Sequence, residues 1–271
     1  MDPFKDRTAV ITGGAGGIGM AMATAFAARG ANIVLADLDD AALARSVGQL
    51  EAGGAHALGV RTDVTVPASV EQLAAQARSR FGGVHIICNN AGIALFGEMK
   101  DASHRDWVYT MNVDFWGVVH GIEAFVPLLI EQGQGGHIVN TASMAGLVGM
   151  RWLGIYSAAK FAVVGTSEAL HRELKPHGIG VSVLCPMIVD TQINQNSVRM
   201  RPADLRNAGE DFIPPDPDSM SGGTIPTSEV ARRVVRGIER GDLYILTHPE
   251  QREILRRRAA KLDAMFEEDV W

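Results

Sequence analysis

Along the chain, short uncharged runs of β-branched and aliphatic residues alternate with longer stretches whose apolar positions recur at helical spacing. Thr8-Ala9-Val10-Ile11-Thr12 reads as a first strand, followed by a glycine-rich bend and a helix from Met20 to Arg29. Gly30 suits the end of that helix, because glycine accepts the left-handed conformation without a Cβ clash. The pattern repeats: a strand Asn32–Ala36 ending at Asp37, a helix from about Asp40 to Gly53, and a strand His56–Val60 ending near Asp63. A helix Pro67–Arg80 leads to the strand Val84–Cys88, which runs into Asn89-Asn90-Ala91-Gly92. A long helix is expected over His104–Glu131, kinked near its end by Pro127. The strand His137–Thr141, the helix Ile155–Leu174 and the strand Ile179–Leu184 follow.

Alternating strands and helices predict an α/β fold, one doubly wound domain with a parallel sheet and helices on both faces. Strands apolar at nearly every position fit a sheet buried on both sides. Right-handed crossovers leave few other topologies. The rhythm stops between about Gln192 and Pro226, where Pro202, Pro214, Pro215, Pro217 and Pro226 cluster with three glycines. A connection of that length is either a functional lid or disordered, and its place just after a strand's C-terminal end favours a substrate lid. A helix Ser228–Arg240 and a strand Leu243–Thr247 resume the fold. The tail from Pro249 to Glu267 mixes arginines with acids, the mark of an exposed helix.

Composition narrows the class. Hydrophobic residues at 46% and charged residues at 21% of 271 positions are those of a globular protein. A net charge of −6 argues against a nucleic-acid partner. The opening residues lack the apolar core of a signal peptide, and the apolar runs fall short of the ~18 residues of a membrane span. Cys88 and Cys185 sit in apolar runs and are expected to be buried thiols. Together these predict a soluble, cytoplasmic protein.

Candidate chemistry begins at Thr12-Gly13-Gly14-Ala15-Gly16-Gly17-Ile18-Gly19, where a strand turns into a helix. A pyrophosphate needs backbone N–H groups aimed at it and no side chains in the way; a helix start and glycines provide both. Gly13, Gly17, Ile18 and Gly19 are the candidate residues, and the alternative is a bend serving only tight packing. About twenty residues on stands Asp37, whose carboxylate suits a ribose 2′-hydroxyl and repels a 2′-phosphate. That favours NAD over NADP. Asp63, with Val64, either reaches the adenine or simply forms a turn.

Tyr156 and Lys160 are four apart in a predicted helix and so share a face. A lysine cation near a phenol favours the phenolate and pulls its pKa from ~10 toward the range of a useful general base. Ser143, at the end of the fifth strand, and Asn112, in the long helix, are placed to converge on the same crevice.

These motifs, in this order and spacing, resemble the short-chain dehydrogenase/reductase family over almost the whole chain. The resemblance implies a Rossmann-type, seven-stranded parallel sheet in the order 3-2-1-4-5-6-7, a nicotinamide cofactor and a small alcohol or ketone substrate. It makes Tyr156 the general acid/base, and has Lys160 lower its pKa and hold the nicotinamide ribose. Ser143 would bind the substrate oxygen, and Asn112 would hold a water in the proton path. Asn90 would lie beside the cofactor or tie strands together. Pro186-Met187-Ile188-Val189-Asp190-Thr191 is similar to a family segment in which Val189 and Thr191 meet the carboxamide; Met187 replaces a glycine there and questions the local backbone. In that strand order Cys88 and Cys185 lie two strands apart, ~9–10 Å, beyond disulfide reach.

GGHIVNTASMAG and LYILTHPEQREIL are similar to stretches of a bacterial subgroup that includes aryl-ether Cα-dehydrogenases, enzymes that oxidise bulky benzylic alcohols with NAD. Ile93, Leu95, Phe96, Ala145, Leu147, Met150, Trp152, Met187 and Phe212 are the candidate pocket walls, which suit a hydrophobic, ring-bearing substrate. The long helix carries more apolar residues than one buried stripe needs, and the resemblance implies a homotetramer, or at least a dimer, built on it and on the helix of Tyr156. The reading is therefore NAD-dependent oxidation of a hydrophobic secondary alcohol. An NADPH ketoreductase, a hydroxysteroid dehydrogenase and a nucleotide-sensing scaffold are the alternatives.

Overall fold

The computed structural model describes residues 2–207 and 223–266. Within them the chain forms β1 (Thr8–Thr12), α1 (Gly17–Ala27), β2 (Asn32–Asp37), α2 (Asp40–Ala52), β3 (Ala57–Arg61), α3 (Pro67–Phe81) and β4 (Ile86–Asn89). There follow α4 (His104–Met111), α5 (Gly117–Gln132), β5 (Gly136–Thr141), α6 (Gly154–Leu174), β6 (Ile179–Cys185), α7 (Ile193–Arg199), α8 (Thr227–Arg240), β7 (Tyr244–Leu246) and α9 (Arg252–Asp263). All strand pairs are parallel, and the seven-stranded sheet runs β3-β2-β1-β4-β5-β6-β7. The expected architecture and strand order are both present. Cys88 and Cys185 are free and buried, with β5 between their strands.

Successive strand side chains point to opposite faces, and the two faces have separate cores. Ile11, Ile33 and Leu35 pack with Met22 and Phe26 of α1 and with α8 residues on one side. Val10, Val34, Ile87 and Ile138 pack with Leu73 of α3 and with Phe125 and Leu129 of α5 on the other. Helix starts follow local chemistry: Asp39 accepts the N–H of Ala42 to cap α2, and Pro67 opens α3. Ser103 and Asp106 form a reciprocal capping box on α4.

The long helix differs from expectation. α4 and α5 are one continuous rod, and its irregularity is a wider π-helical turn at Asn112–Trp116, with Pro127 inside α5. His104–Gln132 is long and apolar enough to cross a membrane, contrary to the sequence reading of no such segment. In the fold it lies over the sheet, with Phe125 and Leu129 fully buried. The connection after β6 is described at its two ends, residues 192–207 and 223–226. It holds α7, a short turn Ala203–Leu205 and a bridge between Val189 and Ile225. The rest of the expected lid, with Phe212, lies outside the described residues. α9 has no buried residue, as the mixed-charge tail implies.

Candidate active site

The sheet order reverses between β1 and β4, so the loops after these strands part at their carboxyl ends and leave a crevice. A cleft of about 1520 Å³ fills it, larger than the ~300–1,000 Å³ of a single small-ligand pocket. It is roomy enough for a dinucleotide and a substrate together.

The glycine bend lines one end of the cleft. Gly13 has φ +61°, and a Cβ there would stand 2.9 Å from the Ala91 Cα. A Cβ on Gly19 would collide with the Gly13 carbonyl. Gly16 precedes α1 without a side-chain cap, so the first N–H groups of that helix remain open to an anion. Gly17 and Ile18 share the cleft wall, and Thr191 packs against Gly17. Asp37 also lines the cleft; its carboxylate accepts the N–H groups of Ala15 (3.2 Å) and Asp39 (3.3 Å), which ties the bend to the end of β2. These residues fit a dinucleotide with an open pyrophosphate cradle and an acid at the ribose end.

Asp63 lines the cleft beside Val64, and its Oδ1 accepts both the N–H (2.9 Å) and the hydroxyl (2.7 Å) of Thr65, the turn-forming use left open by the sequence. Asn90 is a tie between strands: its amide donates to the Thr12 carbonyl at 3.0 Å, and its Oδ1 accepts from Thr141. Thr12, the first residue of the glycine motif, accepts the N–H groups of Asn90 and Ala91 on its hydroxyl. Val189 lines the cleft, and Met187 does so without a positive φ; among the described residues only Asp6 and Trp152 have one outside glycine. Replacing glycine by Met187 therefore costs no backbone strain.

Tyr156 and Lys160 lie one turn apart on α6, and the ammonium sits 5.5 Å from the centre of the phenol ring. Ser143 hydrogen-bonds the Tyr156 hydroxyl and is held by the Ala145 N–H at 3.1 Å. The expected acidification of Tyr156 is not the balance found in the protein alone. Burial raises the phenol's pKa, Lys160 lowers it, Asp114 raises it again, and the net direction is upward.

The carboxylate against Lys160 belongs to Asp114, a residue the sequence reading did not single out. The Lys160 ammonium donates to the Thr141 carbonyl at 3.0 Å and pairs with Asp114 Oδ1 at 3.1 Å. Asp114 Oδ1 also accepts the Ile93 N–H. The lysine and aspartate side chains are 3% and 0% exposed. Asn112 lines the cleft from the preceding part of the π turn. Asp114 is thus an additional residue, which the sequence reading passed over. The signal was present: Asp114 is a lone acid in an otherwise apolar stretch of the long helix.

Of the expected pocket walls, Ile93, Phe96, Met150 and Met187 line the cleft. Leu95 and Trp152, expected at the substrate, do not, nor do Ala145 and Leu147. Ala145 is wholly buried, and Leu147 packs into the core beside Val118 and Val163. The Trp152 side chain hydrogen-bonds Glu98 and lies under the Arg151 guanidinium. A second missed group holds α7 and the residues just after it to α4. Arg201, 7% exposed, donates to Asp106 at 2.7 Å, and the Tyr109 hydroxyl donates to the Ser197 carbonyl.

A family model described as short chain dehydrogenase matches residues 7–202. The chain belongs to the short-chain dehydrogenase family. It is thereby an oxidoreductase. A "CLA biosynthesis dehydrogenase/reductase" of Lactiplantibacillus plantarum is 33% identical, covering 97% of this chain and 95% of its own length. A "C alpha-dehydrogenase" of Sphingobium sp. strain SYK-6 is 34% identical over 95% of this chain and 85% of its own. A short-chain dehydrogenase/reductase from Burkholderia phymatum, solved in complex with NAD, superposes with a TM-score of 0.91 at 39% identity, covering 98% of this chain and 97% of that one. NAD is the cofactor expected from the glycine bend and Asp37. Among the described residues no cluster suited to a metal ion occurs in this short-chain dehydrogenase.

Proposed function

We propose that this short-chain dehydrogenase oxidises a hydrophobic, ring-bearing secondary alcohol to the ketone, reversibly, with NAD. The observation that carries this is the convergence of Tyr156, Ser143 and Lys160 on one cleft whose other end is the glycine bend. Tyr156, as phenolate, takes the hydroxyl proton of the alcohol, and Ser143 donates a hydrogen bond to the same oxygen. Lys160, fixed by Thr141 and Asp114, supplies the positive charge that favours the phenolate. When bound, the nicotinamide supplies the acceptor for the hydride. Gly13, Gly17 and Gly19 leave room for the pyrophosphate, and Thr191 stands beside Gly17 for the nicotinamide half.

Ile93, Phe96, Met150, Leu153, Met187 and Met200 give the substrate end an apolar lining. Likeness to a relative named as a C alpha-dehydrogenase supports a bulky aryl alcohol among the candidates. An NADPH-dependent ketoreductase is the second reading. It is favoured by Arg45 and Arg199, which line the cleft near Asp39, with Arg199 paired to Asp39 at 3.3 Å. Asp37 favours NAD, and the ratio of rates with the two cofactors decides between them.

The deciding experiment is a panel of aryl, terpenoid, steroid and alicyclic secondary alcohols, read by reduced-nicotinamide absorbance. Tyr156→Phe should keep NAD affinity and lose at least ~10²-fold in kcat; unchanged turnover would remove Tyr156 from its role. We place at least a dimer, and by family likeness a tetramer, on the face of α4 and α5 where Trp116 is 47% exposed.

A further inference from the structure

We infer that Asp114 is the charge-setting partner of the Tyr156–Lys160 pair, a positioning residue whose carboxylate offsets the ammonium's field at the phenol. The inference rests on the reading of Tyr156 as the general base and adds a third group to it. Asp114 and Lys160 are sealed from solvent and 3.1 Å apart, so the lysine brings to the phenol a paired charge in place of a lone cation. Asp114 Oδ1 is held by the Ile93 N–H as well as by the lysine, while its Oδ2 has no hydrogen-bond partner among the described residues. Burial raises the pKa of this carboxyl, while Lys160 and the Ile93 N–H lower it, and the net direction is upward. In a poorly screened interior, a carboxylate's charge acts on its neighbours more strongly than it would in water.

The surroundings leave this carboxylate dominant. From α4 the Tyr109 phenol faces it, and burial first, then Asp114, push that phenol up to about 12. From β6 the Cys185 thiol faces the lysine and is pushed up to about 12 by burial. Both are neutral across the working pH range. From the loop before α3, Asp63 acts on Tyr109, and Arg201 lies over the Tyr109 ring at 5.6 Å. Ser143 and the Thr141 carbonyl complete the shell without charge. Lys160 is thus the cation in direct contact, and Asp114 is its counter-ion. Burial lowers the ammonium's pKa, Asp114 and then Tyr156 raise it, and the net direction is upward, so the lysine is a cation at neutral pH.

The sign of the test follows. Removing the negative charge leaves the lysine's field unopposed, which favours the phenolate. Asp114→Asn, nearly isosteric, and Asp114→Ser, smaller, are made in the full-length protein. In each, kcat for alcohol oxidation is followed against pH with saturating NAD. In parallel, ultraviolet phenolate absorbance of the free protein is titrated, with the same background carrying Tyr156→Phe subtracted. The expected result is an acid limb and a Tyr156 titration both moved to lower pH, by about one unit or more. A limb and titration that stay in place overturn the inference. A move to higher pH also overturns it, because it would mean the carboxylate matters by keeping Lys160 charged. Loss of turnover without a shifted titration overturns it too, since Asp114 would then be structural. Turnover that survives Tyr156→Phe would instead defeat the assignment of the base; the absorbance titration still reads the charge balance in that event.

Discussion

At the scale of single residues, the site depends on where a side chain is excluded as much as on where one is placed. Gly121 on α5 lies against the Asn89 amide, and a Cβ there would overlap it. Asn89 donates to Asn140, which donates to Ser167, a buried polar chain linking β4, β5 and α6. Gly121→Ala is expected to destabilise by about 1–3 kcal/mol through overpacking, read as a lower urea midpoint at unchanged slope. Asp37 is tied to the bend by two N–H groups, so its replacement loosens the bend and removes the acid together. Asp37→Ser should narrow the preference for NAD over NADP; if NADP already reacts faster with the unaltered protein, the acid has no selective role. Tyr156 titrates above its ordinary value because burial outweighs the lysine. Alcohol oxidation should therefore climb steadily with pH through and beyond neutrality, while ketone reduction should not.

At the scale of elements, the π turn at Asn112–Trp116 decides which residue of the long helix meets Lys160. A wider turn resets the helical phase, and it brings Asp114 to the lysine while Asn112 faces the cleft wall. No periodicity argument finds such a shift, because sequence spacing assumes uniform winding. α7 shows the opposite case, an element whose position rests on side-chain anchors. Arg201 and Asp106 form a nearly buried pair, and Tyr109 and Ser197 link α4 to α7. Breaking a buried pair by removing one partner costs about 3 kcal/mol or more. Arg201→Ala should loosen the substrate side, raising KM for the alcohol more than for NAD. For Asp106, burial acts to raise the pKa, but Ser103 and Arg201 outweigh it, and the carboxyl titrates below its ordinary value. Its contribution is present above the unfolded value of ~3.9 and is lost as the pH falls through the lower folded value. The anchor therefore holds throughout the neutral range.

At the scale of the molecule, one buried histidine gives folding a pH dependence of its own. His137 on β5 is buried beside Ser182 of β6, and burial pushes its pKa down to about 4. The unfolded chain binds that proton near pH ~6.5 and the folded protein does so only near its lower value. Stability is full above ~6.5 and declines as the pH falls toward the folded value, by roughly 3 kcal/mol in all. Urea midpoints from pH 7 to pH 4 should show that decline, and His137→Asn should flatten it; an equally steep profile in the variant would place the effect elsewhere. Assembly is tested at the same scale. Trp116 on the α4–α5 face should become protected in a dimer or larger species, and sedimentation showing only monomer at micromolar concentration would contradict it.

The alternation of apolar runs determined the parallel sheet, because a strand buried on both faces must be apolar throughout and each crossover has one favoured hand. The glycine bend, Asp37 and the one-turn spacing of Tyr156 and Lys160 were equally legible, since each is a local pattern whose geometry travels with the chain. Tertiary structure alone decided that Asp114 pairs with the lysine, that Leu95 and Trp152 stay out of the cleft, and that Arg201 pins the segment after α7 to α4. Those facts depend on contacts between residues far apart in sequence, or on helical phase. Burial, the quantity that turns the balance at Tyr156 upward, exists only once the chain has closed around it.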